Sequence, residues 1–136
     1  MDRNSLPDEQ RAHLNRISCD IIDSAIKVHT VLGPGLLEST YEACLEHELR
    51  RRQHKVLRQV TLPVVFEGLR IDLGYRIDLL IDDEVIVELK ASEGIAPVHK
   101  AQLASYLKLS GRHLGLLINF NVYQLKDGLV RRVNKF

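Results

Sequence analysis

Apolar and polar positions in the first third of the chain repeat with the three- and four-residue steps of an α-helix. They predict a first helix beginning near residue 8, with apolar positions at Leu14, Ile17, Ile21, Ala25, Val28 and Leu32. Residues 33–35, Gly-Pro-Gly, should end it, because glycine permits left-handed conformations and proline cannot continue the hydrogen-bond ladder. A second helix is expected over residues 37–54, with Tyr41, Leu45 and Leu49 facing inward.

From residue 56 the period shortens to two, which indicates β-strands. Residues 56–66 are rich in β-branched side chains, although Pro63 favours an edge position or a bulge. Residues 69–81 alternate, and one face is expected to carry Ile71, Leu73, Tyr75, Ile77, Leu79 and Ile81. Asp82-Asp83 should form a tight turn into a strand over residues 84–89, so the three segments predict an antiparallel meander.

The last third of the chain returns to a helix and then to strands. A third helix is predicted over residues 98–110, followed by a buried strand over 114–120 and an edge strand over 129–133. The order αα-βββ-α-β(β) predicts an α/β fold, a mixed β-sheet flanked by helices, in a single domain over residues 1–136.

Composition adds few constraints. The formal net charge is +1, so any binding to nucleic acid would need a local basic patch. No apolar run is long enough to span a bilayer, and the polar residues 1–11 do not resemble a secretory signal. Cys19 and Cys44 form no disulfide or zinc pattern, so we expect a cytoplasmic protein with reduced thiols.

Charged residues appear in strands that are otherwise apolar. Glu88 and Lys90 share one strand face, and the turn at residues 82–83 should bring Asp78 close to Glu88. Two adjacent carboxylates repel each other, and removing each from water costs several kcal/mol. A Mg²⁺ ion would remove both penalties, and Lys90 would then orient water or balance phosphate charge. Glu-x-Lys on a strand is also common as a solvated ion pair.

Two helices supply further candidates. Glu38 lies on the same face as Tyr41 and Leu45 and should point inward, although an acid also suits a helix N-terminus. Gln102 and Tyr106 are one helical turn apart and should face the same way. This spacing suits a structural Gln–Tyr pair as well as two residues of a functional site.

Five segments in order resemble the GxxExxY proteins, a group within the PD-(D/E)xK nuclease superfamily. They are residues 35–41 (GLLESTY), 75–80 (YRIDLL), 87–90 (VELK), 101–108 (AQLASYLK) and 116–120 (LLINF). The resemblance covers nearly the whole chain and implies a restriction-endonuclease-like core. One departure from the motif is Ile77, which stands in place of its proline.

The resemblance also implies an activity and the residues that perform it. The implied enzyme is a hydrolase, a metal-dependent nuclease that cleaves DNA or RNA with metal-activated water. Mg²⁺ or Mn²⁺ would be held by Asp78, Glu88 and the backbone carbonyl of Leu89. The implied catalytic residues are Asp78, Glu88, Lys90, Glu38 and Gln102, and basic residues such as Arg50, Arg51, Arg52, Lys55, Arg58, Lys100 and Lys108 would contact the nucleic-acid backbone.

Other functions fit the same residues. A catalytically idle nuclease-fold module would bind nucleic acid or assemble with other chains, and the edge near Leu129 would allow a homodimer. A hydrolase of a small phosphate ester would need a closed pocket rather than an open basic groove.

Overall fold

Two helices form one layer of the fold. The computed structural model describes residues 5–136, in which α1 spans Asp8–Leu32 and α2 spans Glu38–Arg51. Helix α1 ends at Gly33, whose φ of 69° suits a glycine and turns the chain back toward α2. No helix within residues 5–136 combines the length and the apolar composition needed to cross a membrane.

The strands build a five-stranded mixed sheet and a separate hairpin. The strands are β1 (Val56–Thr61), β2 (Val64–Phe66), β3 (Leu69–Ile71), β4 (Arg76–Ile81), β5 (Val85–Lys90), β6 (Leu114–Asn119) and β7 (Leu129–Val133). The sheet order is β1-β4-β5-β6-β7, and β2 pairs only with β3. Strands β5 and β6 are parallel, and α3 (Pro97–Ser110) makes the crossover between them.

Helices cover both faces of the sheet. Helices α1 and α2 pack on one face, where Leu79, Val87 and Leu116 join their apolar residues. Helix α3 packs on the other face through Leu103 and Leu107. Strand β5 is therefore buried on both sides, as its continuous apolar sequence predicts. The mixed sheet flanked by helices is confirmed.

The predicted three-stranded meander is wrong in detail. Residues 56–66 and 69–81 each divide into two strands, which makes five strands before α3. Pro63 interrupts the first segment. The second is broken after Ile71 by a stretch that contains Gly74, whose φ is 84°, and it joins the five-stranded sheet only at Arg76. The apolar alternation continues through this region because the β2–β3 hairpin carries exposed apolar side chains, among them Phe66.

The expected single apolar face over residues 71–81 is also wrong. Leu79 packs in the core under α1 and α2, whereas Ile77 packs in the core under α3. Asp78 lies in no regular pair with either neighbouring strand. The alternation of β4 therefore shifts by one position across this acid, since Leu80 shares the core of Ile77 and Ile81 shares the core of Leu79.

His54 joins α1 to the turn that precedes β5. Its Nε2 lies 2.7 Å from an Asp20 oxygen, and its Nδ1 lies 2.6 Å from an Asp82 oxygen. Burial alone would lower the pKa of His54, but the two carboxylates outweigh it and raise that pKa. The β4–β5 turn, which sets the register of the acidic strands, is thereby held against α1.

Candidate active site

Asp78 and Glu88 face each other where the β4–β5 ladder stops. The last regular pair is Leu79 with Val87, so the next position sets the two acids opposite each other. The backbone N–H of Asp78 donates to Glu88 Oε2 at 2.8 Å. The backbone N–H of Leu89 donates to Asp78 Oδ2 at 2.9 Å. Each carboxyl group thus binds the main chain of the neighbouring strand, and both lie in the gap between β4 and β5.

Glu88 is the buried member of the pair, with 7% of its surface exposed. Burial and then the charge of Asp78 raise its pKa to about 9, and the hydrogen bond from the Asp78 N–H and the charge of Lys90 only partly oppose these effects. At neutral pH the Glu88 carboxyl group is therefore protonated. A group that balanced its negative charge would allow it to ionise.

Lys90 and Glu38 complete the polar cluster. Partial burial raises the pKa of Glu38, Lys90 lowers it, and Asp78 raises it, so these charges lie close enough to act on one another. Glu38 is the first residue of α2 and is exposed. Within residues 5–136, Lys90 forms no salt bridge.

Helix α3 approaches the acids through Tyr106. Gln102 Nε2 donates to Tyr106 Oη at 3.0 Å. Tyr106 is buried, and the pKa of its hydroxyl is raised by burial and then by the charges of Glu88 and Asp78. Gln102 therefore contacts Tyr106, and it is the pKa of Tyr106 that the charges of the two acids raise.

Two site residues were missed by sequence analysis. Glu42 is buried and accepts a hydrogen bond from Gln59 Nε2 at 3.0 Å. The same Gln59 nitrogen donates to Asp78 Oδ1 at 3.4 Å. The spacing of Glu42 from Glu38, one helical turn, was a usable signal. Nothing in the sequence around Gln59 indicated its role.

The acid pair fits a divalent cation. Mg²⁺ is commonly held by one or two carboxylates together with water and substrate phosphate, and Asp78 and Glu88 supply two hard oxygen donors. The Leu89 backbone lies beside them. In the part of the chain that the structure describes, no group of three or more His, Cys, Asp or Glu side chains could hold an ion. The remaining ligands would therefore come from the main chain, water or substrate.

The predicted basic contacts are largely engaged in ion pairs. Acidic side chains of the same chain bind Arg50, Arg51, Arg52, Lys55 and Arg58. For example, Glu48 accepts from Arg51 at 2.7 Å and from Lys27 at 2.9 Å. Each of these five charges has an acidic neighbour, so together they do not form an unpaired basic surface.

Comparison with known proteins supports the fold. A family model described as the PD-(D/E)XK nuclease superfamily matches residues 15–133. No curated protein and no solved structure matches the chain. The match includes β4, β5 and α3, the elements that carry Asp78, Glu88 and Gln102. The chain belongs to the PD-(D/E)XK nuclease superfamily.

Proposed function

We propose that this protein hydrolyses phosphodiester bonds of DNA or RNA with Mg²⁺ or Mn²⁺ held by Asp78 and Glu88. The observation that carries the proposal is the convergence of two carboxyl groups in the gap between β4 and β5. Superfamily membership supports a nuclease-type function. The buried acid Glu88 is held at an energetic cost, which a bound cation would offset.

Each residue of the site would have a separate role in phosphodiester hydrolysis. A divalent cation there would lower the pKa of a water molecule and stabilise charge that develops on phosphate oxygens. Asp78 and Glu88 would hold the cation, and Glu88 would release its proton as the cation binds. The Lys90 ammonium group would donate to a phosphate oxygen. Glu38, Gln102 and Tyr106 would line the two sides of the substrate.

An idle binding or assembly module is the second candidate. The ion pairs of the α2 basic residues leave fewer cations for a nucleic-acid backbone, so they favour the form of this module that assembles with other chains. The buried Glu88 argues against it, since an idle site gains nothing from a carboxyl group whose ionisation is unfavourable.

A direct assay separates these two functions. Purified protein would be incubated with single- and double-stranded DNA and RNA in Mg²⁺, in Mn²⁺ and in chelator. The nuclease should degrade at least one substrate, and only with metal. Calorimetric titration with Mn²⁺ should show binding to the wild type and none to Asp78→Asn. Metal binding without cleavage of any of the four substrates would favour the idle module.

Lys90→Ala should separate catalysis from metal binding. The variant should lose about 10²–10³-fold in cleavage rate, since it removes a charge that stabilises the transition state. Its Mn²⁺ affinity should change by less than about threefold, because an ammonium group does not ligate a cation. Lys126→Ala, which alters an exposed lysine outside the site, serves as the control. Equal losses of rate and affinity would contradict this role.

A further inference from the structure

The backbone of Gln59 departs from the ladder directly opposite Asp78. Its φ is 52°, in the left-handed region that residues with a Cβ rarely adopt. The regular pairs on either side are Arg58 with Leu79 and Val60 with Ile77. The interruption of β1 therefore coincides with the acid that the proposed function assigns to the metal.

The side chain of Gln59 joins two acids. Its amide nitrogen Nε2 donates one hydrogen bond to Glu42 Oε1 and another to Asp78 Oδ1, at 3.0 Å and 3.4 Å. The other oxygen of Asp78 accepts from the Leu89 N–H. With one donor on each oxygen, the Asp78 carboxyl group has a fixed orientation and still has lone pairs free for a cation.

Glu42 provides the fixed end of this connection. It is buried on α2, next to Tyr41, which is fully buried in the core. Arg58 also donates to it, at 3.5 Å, so its carboxylate is held from two sides. Gln59 itself is exposed, and its orientation depends on these contacts. The connection runs from a packed helix, through one amide, to Asp78.

We infer that Gln59 is a positioning residue that holds the Asp78 carboxylate in the orientation needed for the cation. The inference rests on the proposed function, because it assigns Asp78 to the metal. Glycine would adopt φ 52° more easily than glutamine. The side-chain contacts of Gln59 thus offset a backbone conformation that disfavours it, and outer partners of this kind tune metal affinity.

Gln59→Gly tests the inference, because it relieves the backbone and removes the amide together. Its Tm should equal or exceed that of the wild type. Its dissociation constant for Mn²⁺, measured by calorimetry, should rise about tenfold. Gln59→Met keeps the length of the side chain but cannot donate, so it should show the same loss of affinity without any gain in Tm.

Gln53→Gly is the matched control. Gln53 is also a glutamine with positive φ, 71°, but it is exposed just after α2 and makes no side-chain hydrogen bond within residues 5–136. The control should relieve the backbone equally and leave Mn²⁺ binding unchanged. If either Gln59 variant binds Mn²⁺ as tightly as the wild type, the positioning role is wrong and the proposed function stands. If the wild type binds neither Mg²⁺ nor Mn²⁺, both fail.

Discussion

Asp78→Ala and Glu88→Ala should each lower metal-dependent cleavage by about 10²–10³-fold or more. Each variant removes one of two carboxylates from the gap between β4 and β5, and a catalytic cation supplies several kcal/mol of transition-state stabilisation. Initial rates on a substrate that the wild type degrades would measure the effect. Circular dichroism would show that the helices and the sheet remain.

The control for this loss is Asp23→Ala, which removes an exposed acid from α1. It changes the net charge by the same amount as Asp78→Ala and should leave the rate unchanged. Cleavage that persists in both Asp78→Ala and Glu88→Ala would place the chemistry elsewhere on the molecule. If only one of these two variants loses cleavage, Asp78 and Glu88 do not act together.

Glu88→Gln should stabilise the metal-free protein at pH 8 while abolishing cleavage. The pKa of Glu88 is raised from its ordinary value to about 9, so the folded chain keeps a proton that the unfolded chain releases above about pH 4.5. The stability of the wild type therefore falls as pH rises between these two values. Glutamine has no proton to lose, and its oxygen can still accept from the Asp78 N–H.

Denaturant unfolding in chelator would measure this difference. We expect Glu88→Gln to be more stable than the wild type by about 2–4 kcal/mol at pH 8, and the difference to shrink toward pH 4.5. Added Mn²⁺ should stabilise only the wild type, because the variant lacks a charged ligand. If Glu88→Gln is less stable than the wild type at pH 8, burial of the Glu88 carboxyl group does not destabilise the folded protein.

Glu48→Gln should have the opposite effect on stability, although Glu48 is also a buried glutamate. Hydrogen bonds from Arg51 and Lys27 lower the pKa of Glu48 to about 2. Its contribution to stability is present above about pH 4.5 and is lost as pH falls toward 2. Removing its charge should therefore destabilise the protein at pH 8, whereas removing the charge of Glu88 should stabilise it.

The acid pair could be predicted because a short turn determines its register. Asp82 and Asp83 have φ values of 53° and 60°, as tight hairpin turns require, and Ile81 pairs with Val85. Counting outward from that pair brings Asp78 opposite Glu88. The period of two then sets Lys90 on the same face as Glu88. The sequence thus predicted that the two acids lie close together, but the predicted strand began at residue 84, whereas Glu84 belongs to the turn and this sets the exact register.

The remaining parts of the site depend on contacts between distant segments. Gln59 has a positive φ where the β1–β4 ladder is interrupted, and its amide binds Glu42. Neither feature is visible in the local sequence. Leu73 and Tyr75 follow the apolar alternation of a buried strand, but both are exposed and lie between β3 and β4. Apolar periodicity reports spacing and cannot by itself distinguish core from surface.

The central position of β5 has a consequence for thermal inactivation. With β4 on one side and β6 on the other, the amide hydrogens of Ile86 and Val87 should exchange with solvent only when the whole sheet opens. The β2–β3 hairpin, which lies outside that sheet, should exchange much sooner. Loss of activity on heating should therefore coincide with global unfolding and should not precede it.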